Sequence, residues 1–95
     1  MVHYFVAQLN VHDRVEYDRY LAGAGALLDE FSGTVLAADE DITVLEGDWP
    51  YGRTVLIEFP TRGHLDRWYS SDAYREIAAH RHAAADGNAI AVAGK

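Results

Sequence analysis

Glu58 is the first residue in this sequence whose setting could do chemistry. It lies in the run Arg53–Phe59, RTVLIEF, among Val55, Leu56, Ile57 and Phe59. A carboxylate in such a run is costly to bury unless it is paired or protonated. A group so placed can act as a general acid or base, or anchor a polar ligand. Tyr4, Gln8 and Glu46 could share its surroundings. On this reading Glu58 is the catalytic residue, with Glu46 and Arg53 as its electrostatic neighbours. Tyr4, Trp68 and Tyr74 would wall a pocket for a small, partly apolar organic molecule, with Tyr69 beside them, and His80 could reach it as a second base. A plainer reading makes Glu58 a structural carboxylate paired with Arg53 or Arg81, since structural ion pairs occupy such positions too. Aromatic residues at helical spacing are likewise often core.

The other chemistries find little support. The histidines are His3, His12, His64, His80 and His82. His80 and His82 stand two apart, about 200° around a helix, so they do not converge on one metal. They read as well as exposed residues near a helix C-terminus. No metal and no cofactor is expected. There is no glycine-rich phosphate loop and no nucleophile elbow. With no cysteine, disulfides, thiolate metal sites and thiol nucleophiles are excluded. Ser70 and Ser71 read as helix caps rather than nucleophiles.

At 95 residues the chain is expected to form one domain, residues 1–95. A chain this short buries only roughly 60–65% of its extended surface, so assembly would help it. It is 49% hydrophobic and 12% aromatic, a folding composition. The net charge of −7 argues against nucleic acid and anionic membrane surfaces as partners. No apolar run approaches the ~20 residues of a bilayer span. The start MVHYFVAQL lacks a basic leader and a long apolar core, so a cytoplasmic protein is expected.

Positioning these residues requires strands and helices in a definite order. Val2–Val11 alternates, with Phe5, Ala7 and Leu9 on one face and Tyr4, Val6, Gln8 and Asn10 on the other. Asp13 with Glu16 makes a capping box for a helix running to about Ser32. Tyr17, Leu21, Ala24, Leu28 and Phe31 form its apolar stripe, with Tyr20 and Leu27 beside them. Gly23 and Gly25 would suit close packing on a sheet, and Gly33 a left-handed C-cap. Thr34–Ala38 is the second strand. Ile42–Glu46 reads as a strand partner to Arg53–Phe59, joined by a turn rich in glycine, proline and aspartate. Val55, Ile57 and Phe59 point one way; Thr54, Leu56 and Glu58 point the other. Thr61 and Ser71 cap two helical segments. Tyr74, Ile77, Ala78 and Arg81 line one face of the second, and Gly87 ends it. Asn88–Ala93 is a last strand with Ile90 and Val92 facing the helices.

This order, β-α-β-β-α-β, gives an α+β fold: a ferredoxin-like, four-stranded antiparallel sheet with helices on one face. The open face would carry Tyr4, Val6, Val35, Val44 and Leu56, too apolar to leave in water. A homodimer packed sheet to sheet is therefore expected. Trp49, stranded in a turn, would be covered across it.

LEGDW at Leu45–Trp49, the Arg53 strand ending in EFP at Glu58–Pro60, and WYSSDAY at Trp68–Tyr74 resemble domain-of-unknown-function family 1330. The resemblance extends across nearly the whole chain, including Gly33 and Arg81. It implies a dimeric α+β barrel, the superfamily that also holds cofactor-free antibiotic-biosynthesis monooxygenases and muconolactone isomerases. Similar proteins tend to carry Arg-Gly-Gly after the second strand. This chain has Ala38, Asp39, Glu40 and Asp41 there, so no anion-binding role carries over to that turn. Two functions remain open. One is a small-molecule protein, with a cofactor-independent step such as proton transfer or oxygenation. The other is a non-catalytic dimeric module that senses, stores or carries a ligand, or supports a partner.

Overall fold

Alternation along the first strand sets the layers. In β1 (His3–Val11), Phe5, Ala7 and Leu9 are buried while Tyr4, Val6 and Gln8 are half-buried on the opposite face. The computed structural model describes residues 1–95. After β1 come α1 (Arg14–Glu30), β2 (Thr34–Asp39), β3 (Arg53–Phe59), α2 (Arg62–Ser70), α3 (Asp72–Ala84) and β4 (Ala85–Ala93). The strands form one sheet in the order β2-β3-β1-β4, with every neighbouring pair antiparallel. The helices lie on one face, as an α+β ferredoxin-like fold requires. No helix is long and apolar enough to cross a membrane.

The caps fall where local chemistry places them. The side chains of Asp13, Thr61 and Ser71 accept from the backbone N–H groups of Glu16, His64 and Tyr74, each satisfying an orphan donor of a first turn. Glu16 does not complete the capping box. Its carboxylate goes instead to Arg19 and to His80 on α3. The core joins Phe5, Ile57 and Phe59 of the sheet to Leu27, Leu28, Leu65, Trp68 and Tyr74 of the helices.

Five local expectations are corrected. Residues 42–46 are not a strand; β3 takes both its partners from β1 and β2, so Ile42–Glu46 cannot pair with it. Val35 pairs with Ile57 and therefore faces the helices, while Val44 lies in the loop after β2. Ile90 and Val92 pair with Val6 and Tyr4. Antiparallel partners share a face, so both point to the open side, at 59% and 44% exposure. Gly87 does not end α3 but lies within β4, where a Cβ would press on Leu9 and on the Gln8 carbonyl. Gly23 packs on Ile77 of α3 rather than on the sheet, and nothing lies near Gly25.

The end of α1 is also built differently. Ser32, not Gly33, takes the left-handed conformation, with φ of 62°, and the Gly33 N–H donates to the Leu28 carbonyl. Gly33 is small because its neighbours crowd it. A Cβ there would sit 2.7 Å from Leu28 Cδ2 and 2.9 Å from the Phe59 ring. Gly33→Ala should therefore cost about 1–3 kcal/mol through overpacking. Gly25→Ala, in open space on a helix, should stabilise by about 0.5–1 kcal/mol. Urea unfolding of the two variants checks both signs.

Candidate functional site

Three small residues, Ala7 on β1, Ala24 on α1 and Ala38 on β2, leave space where α1 crosses the sheet. The result is a cavity of about 100 Å³. Phe5, Leu9, Val55 and Ile57 floor it, and Tyr17, Tyr20, Leu21 and Leu28 of α1 roof it. Two guanidiniums, Arg53 and Arg81, and no carboxylate complete the wall.

Arg53 comes from the first position of β3, on the helix-facing side. Its Nε donates to the Tyr17 hydroxyl at 2.8 Å and its Nη1 to Glu40 Oε1 at 3.2 Å. Arg14 donates to the same Glu40 oxygen at 2.6 Å. The Arg14 hydrogen bond and charge, with Arg53 behind them, hold the Glu40 carboxyl below its ordinary pKa. Arg53 alone of this ion cluster lines the cavity, and the cluster ties the loop after β2 to α1.

Arg81 enters from α3 and is only 6% exposed. Its Nη1 donates to the Tyr74 hydroxyl at 3.0 Å, and the Tyr74 and Tyr20 hydroxyls lie 3.1 Å apart. Its guanidinium carbon sits 5.7 and 5.9 Å from the Tyr20 and Tyr74 ring centres, within cation–π range. Burial pushes the pKa of both phenols up, so they act as neutral donors and acceptors. Arg81 Nη2 lies 3.2 Å from His82 Nε2. A guanidinium only donates, so that imidazole nitrogen is the unprotonated acceptor. Burial, then the Arg81 charge, lowers the His82 pKa to match.

The residues expected to form one site occupy five places. Glu58 and Tyr4 face one another across the β3–β1 ladder on the open side. Arg53 is on the helix side, so it cannot neighbour Glu58, and Arg81 is occupied elsewhere; neither expected ion pair with Glu58 forms. Glu46 is exposed in the 40–52 loop, beside a shallow groove shared with Trp49 and Thr54. Trp49 donates to the Thr54 hydroxyl at 3.0 Å. Trp68 and Tyr74 are 1% and 2% exposed and pack together at 4.2 Å between ring centres. Trp68 is core, and Tyr74 bears on the cavity only through its hydroxyl. His80 hydrogen-bonds Glu16 across the α1–α3 seam. No group of three His, Asp or Glu side chains gathers that could hold a metal.

Tyr17, Tyr20 and Arg81 were missed as site residues. The available signal was polar tips on apolar stripes: two tyrosines in the stripe of α1, and an arginine seven residues after Tyr74 on the buried face of α3.

A model of the family described as "Domain of unknown function (DUF1330)" matches residues 2–95. The chain belongs to the DUF1330 family. No curated protein matches it. Among solved structures it resembles RPA0582, a protein of unknown function from Rhodopseudomonas palustris. The identity is 18% over 99% of this chain and 82% of that one, with a TM-score of 0.83. It also resembles SnoaB, a cofactor-independent oxygenase from Streptomyces nogalater (14% identity, 99% and 93% covered, TM-score 0.65). A dimeric ferredoxin-like protein of unknown function from Jannaschia sp. CCS1 is a third (13% identity, 99% and 100% covered, TM-score 0.68). At these identities the likeness shows the fold.

Two groups at the ends of α1 and α3 make stability pH-dependent in separate windows. His82 has a depressed pKa, so the unfolded chain takes a proton first and stability falls as pH drops below the ordinary 6.5. Glu16 is held below 4.5, chiefly by the His80 hydrogen bond. Its stabilisation is complete above that value and is lost on further acidification. His82→Gln should flatten the first fall. Glu16→Gln should be less stable than wild type at pH 7 and equal to it near the acid end. Denaturant titrations across pH separate the two.

Proposed function

We propose that this chain is a homodimeric protein that binds a small organic molecule between its helix layer and its sheet. The observation behind this is the cavity itself: apolar walls on which donors converge, Arg81 and Tyr20 buried and Arg53 half-buried. An apolar pocket with a few convergent polar groups is the usual form of a ligand site. At about 100 Å³ it is smaller than the ~150 Å³ cavity that takes benzene, so the ligand is small.

Within this cavity binding is better supported than proton transfer. No carboxylate lines it, and burial holds the Tyr20 phenol in the neutral form. A general base near neutral pH is therefore missing from its wall. What the wall offers is donors, which suit holding an oxyanion in place. A catalytic reading draws on the fold shared with the oxygenase SnoaB, and would be an oxygenation that relies on such donors. Glu58, as acid or base, belongs to a different location: the open face, opposite Tyr4.

The dimer reading rests on that open face. Tyr4, Val6, Leu56, Ile90 and Val92 share it by register, and apolar patches of this kind mark association surfaces. A structurally similar protein is described as dimeric. Light scattering should give twice the 10.5 kDa protomer mass. Ile90→Asp, at a residue exposed in the protomer, should give one protomer mass with the fold intact. A monomeric wild type would refute the interface.

Native mass spectrometry of the purified protein tests the binding reading. Protein carrying additional small-molecule mass supports it. Ala24→Leu fills the cavity and should lose that mass while staying folded. Mass retained in Ala24→Leu would place the ligand elsewhere.

A further inference from the structure

Arg81 is the one buried charged residue of the protein, and it belongs to no ion pair. A buried guanidinium is costly unless its charge is met. Aspartate, glutamate, lysine or histidine can relieve such a cost by exchanging a proton. Arginine cannot. Of its five N–H groups, two donate, to Tyr74 and to His82. The Tyr20 and Tyr74 rings meet part of the charge through cation–π contact, but both phenols are neutral and supply no counterion.

The charge balance of the cavity repeats this on a larger scale. The chain as a whole carries −7, yet the cavity is lined by two arginines and no acid. The carboxylate bonded to the other cavity arginine, Glu40, is exposed and is shared between Arg14 and Arg53. Fifteen acidic side chains are available in the sequence, and none is placed against Arg81. The counter-charge must come from outside the protein.

Resting on the binding reading above, we infer that the ligand is a small organic anion, a carboxylate of about two or three carbons, whose charged oxygens are the counterion of Arg81. The size follows from the cavity volume set against benzene's. The class follows from the two halves of the wall. One end presents the planar guanidinium fork, which matches a carboxylate in two parallel hydrogen bonds. The Tyr20 hydroxyl lies beside it. The remainder is hydrocarbon, Leu28, Val55 and Ile57, which favours a short apolar tail over a hydrated inorganic ion.

Propanoate and propanamide, matched in shape and differing in charge, decide the point in NMR titrations of the wild-type protein at pH 7. Propanoate should bind saturably, with shifts centred on Tyr20, Ala24 and Ile57, and at least about 10-fold tighter than propanamide. Arg81→Gln should weaken propanoate about 10- to 100-fold and leave propanamide unchanged. If Arg81→Gln does not fold, the wild-type pair still discriminates. Propanamide binding as tightly as propanoate overturns the anion and leaves the cavity reading standing. Chloride or phosphate displacing propanoate at its own affinity overturns the organic class. Absence of both ligands from the cavity overturns this inference, while the binding reading stands or falls on the native mass spectrum.

Discussion

Strand alternation is the constraint on which the rest of this structure depends. Each strand residue has one face, and the antiparallel ladders force its partners to share it. Phe5, Ala7 and Leu9 therefore share a side with Val55, Ile57 and Ala89. Tyr4 and Val6 share the other with Glu58, Leu56, Ile90 and Val92. Arg53 and Glu58 differ in parity, so no rotamer brings them together across the sheet. The protein consequently has two chemically distinct compartments. One, beneath the helices, is lined by arginine and neutral phenols. The other, open, carries the carboxylate.

Position within each compartment then depends on side-chain size. Close packing normally leaves few voids larger than a water. Ala7, Ala24 and Ala38 hold one open by being short at three facing points. Elsewhere the same layer is tight: Gly33 admits the Phe59 ring, Gly23 admits Ile77, and Trp68 fills the space between Phe5, Phe59 and Tyr74. The cavity lies where large aromatics give way to alanine, and the donors Arg53, Arg81 and Tyr20 border that point. Arg81 borders this void and also a second, more polar recess with His82 and Asn88.

Much of the architecture was legible in the residues. Alternation in Val2–Val11, caps at Asp13, Thr61 and Ser71, and the parity of Val55 to Phe59 each carry a local physical cause, and all stand in the fold. Features that depend on a distant partner were not legible. The facing of Ile90 and Val92 is fixed by register with β1, which an isolated AIAVA run does not encode. Ile42–Glu46 has the apolar content of a strand but finds both edges of β3 already occupied. Val35 was placed on the wrong side because the bulge between Val35 and Ala37 shifts the count along β2. Ser32 took the left-handed position because Gly33, though the better residue for it, is needed for close approach to Phe59.

The site was hardest to read for a related reason. Attention to a carboxylate in an apolar run is sound locally, since Glu58 does lie in a central strand. Burial of a charge is a property of both sides of the sheet, however, and the helices cover only one. Glu58 keeps partial contact with solvent on the open face of the protomer, which lowers the cost that made it conspicuous. Arg81, on a helix with exposed neighbours in the sequence, is the charge that the helix layer buries. Its surroundings relieve the cost only in part, by two hydrogen bonds and two aromatic faces. A methionine of similar length would remove the buried charge but would leave Tyr74 and His82 without their donor. On the binding reading, what meets the remaining charge sits in the void beside it, not among the acids on the surface.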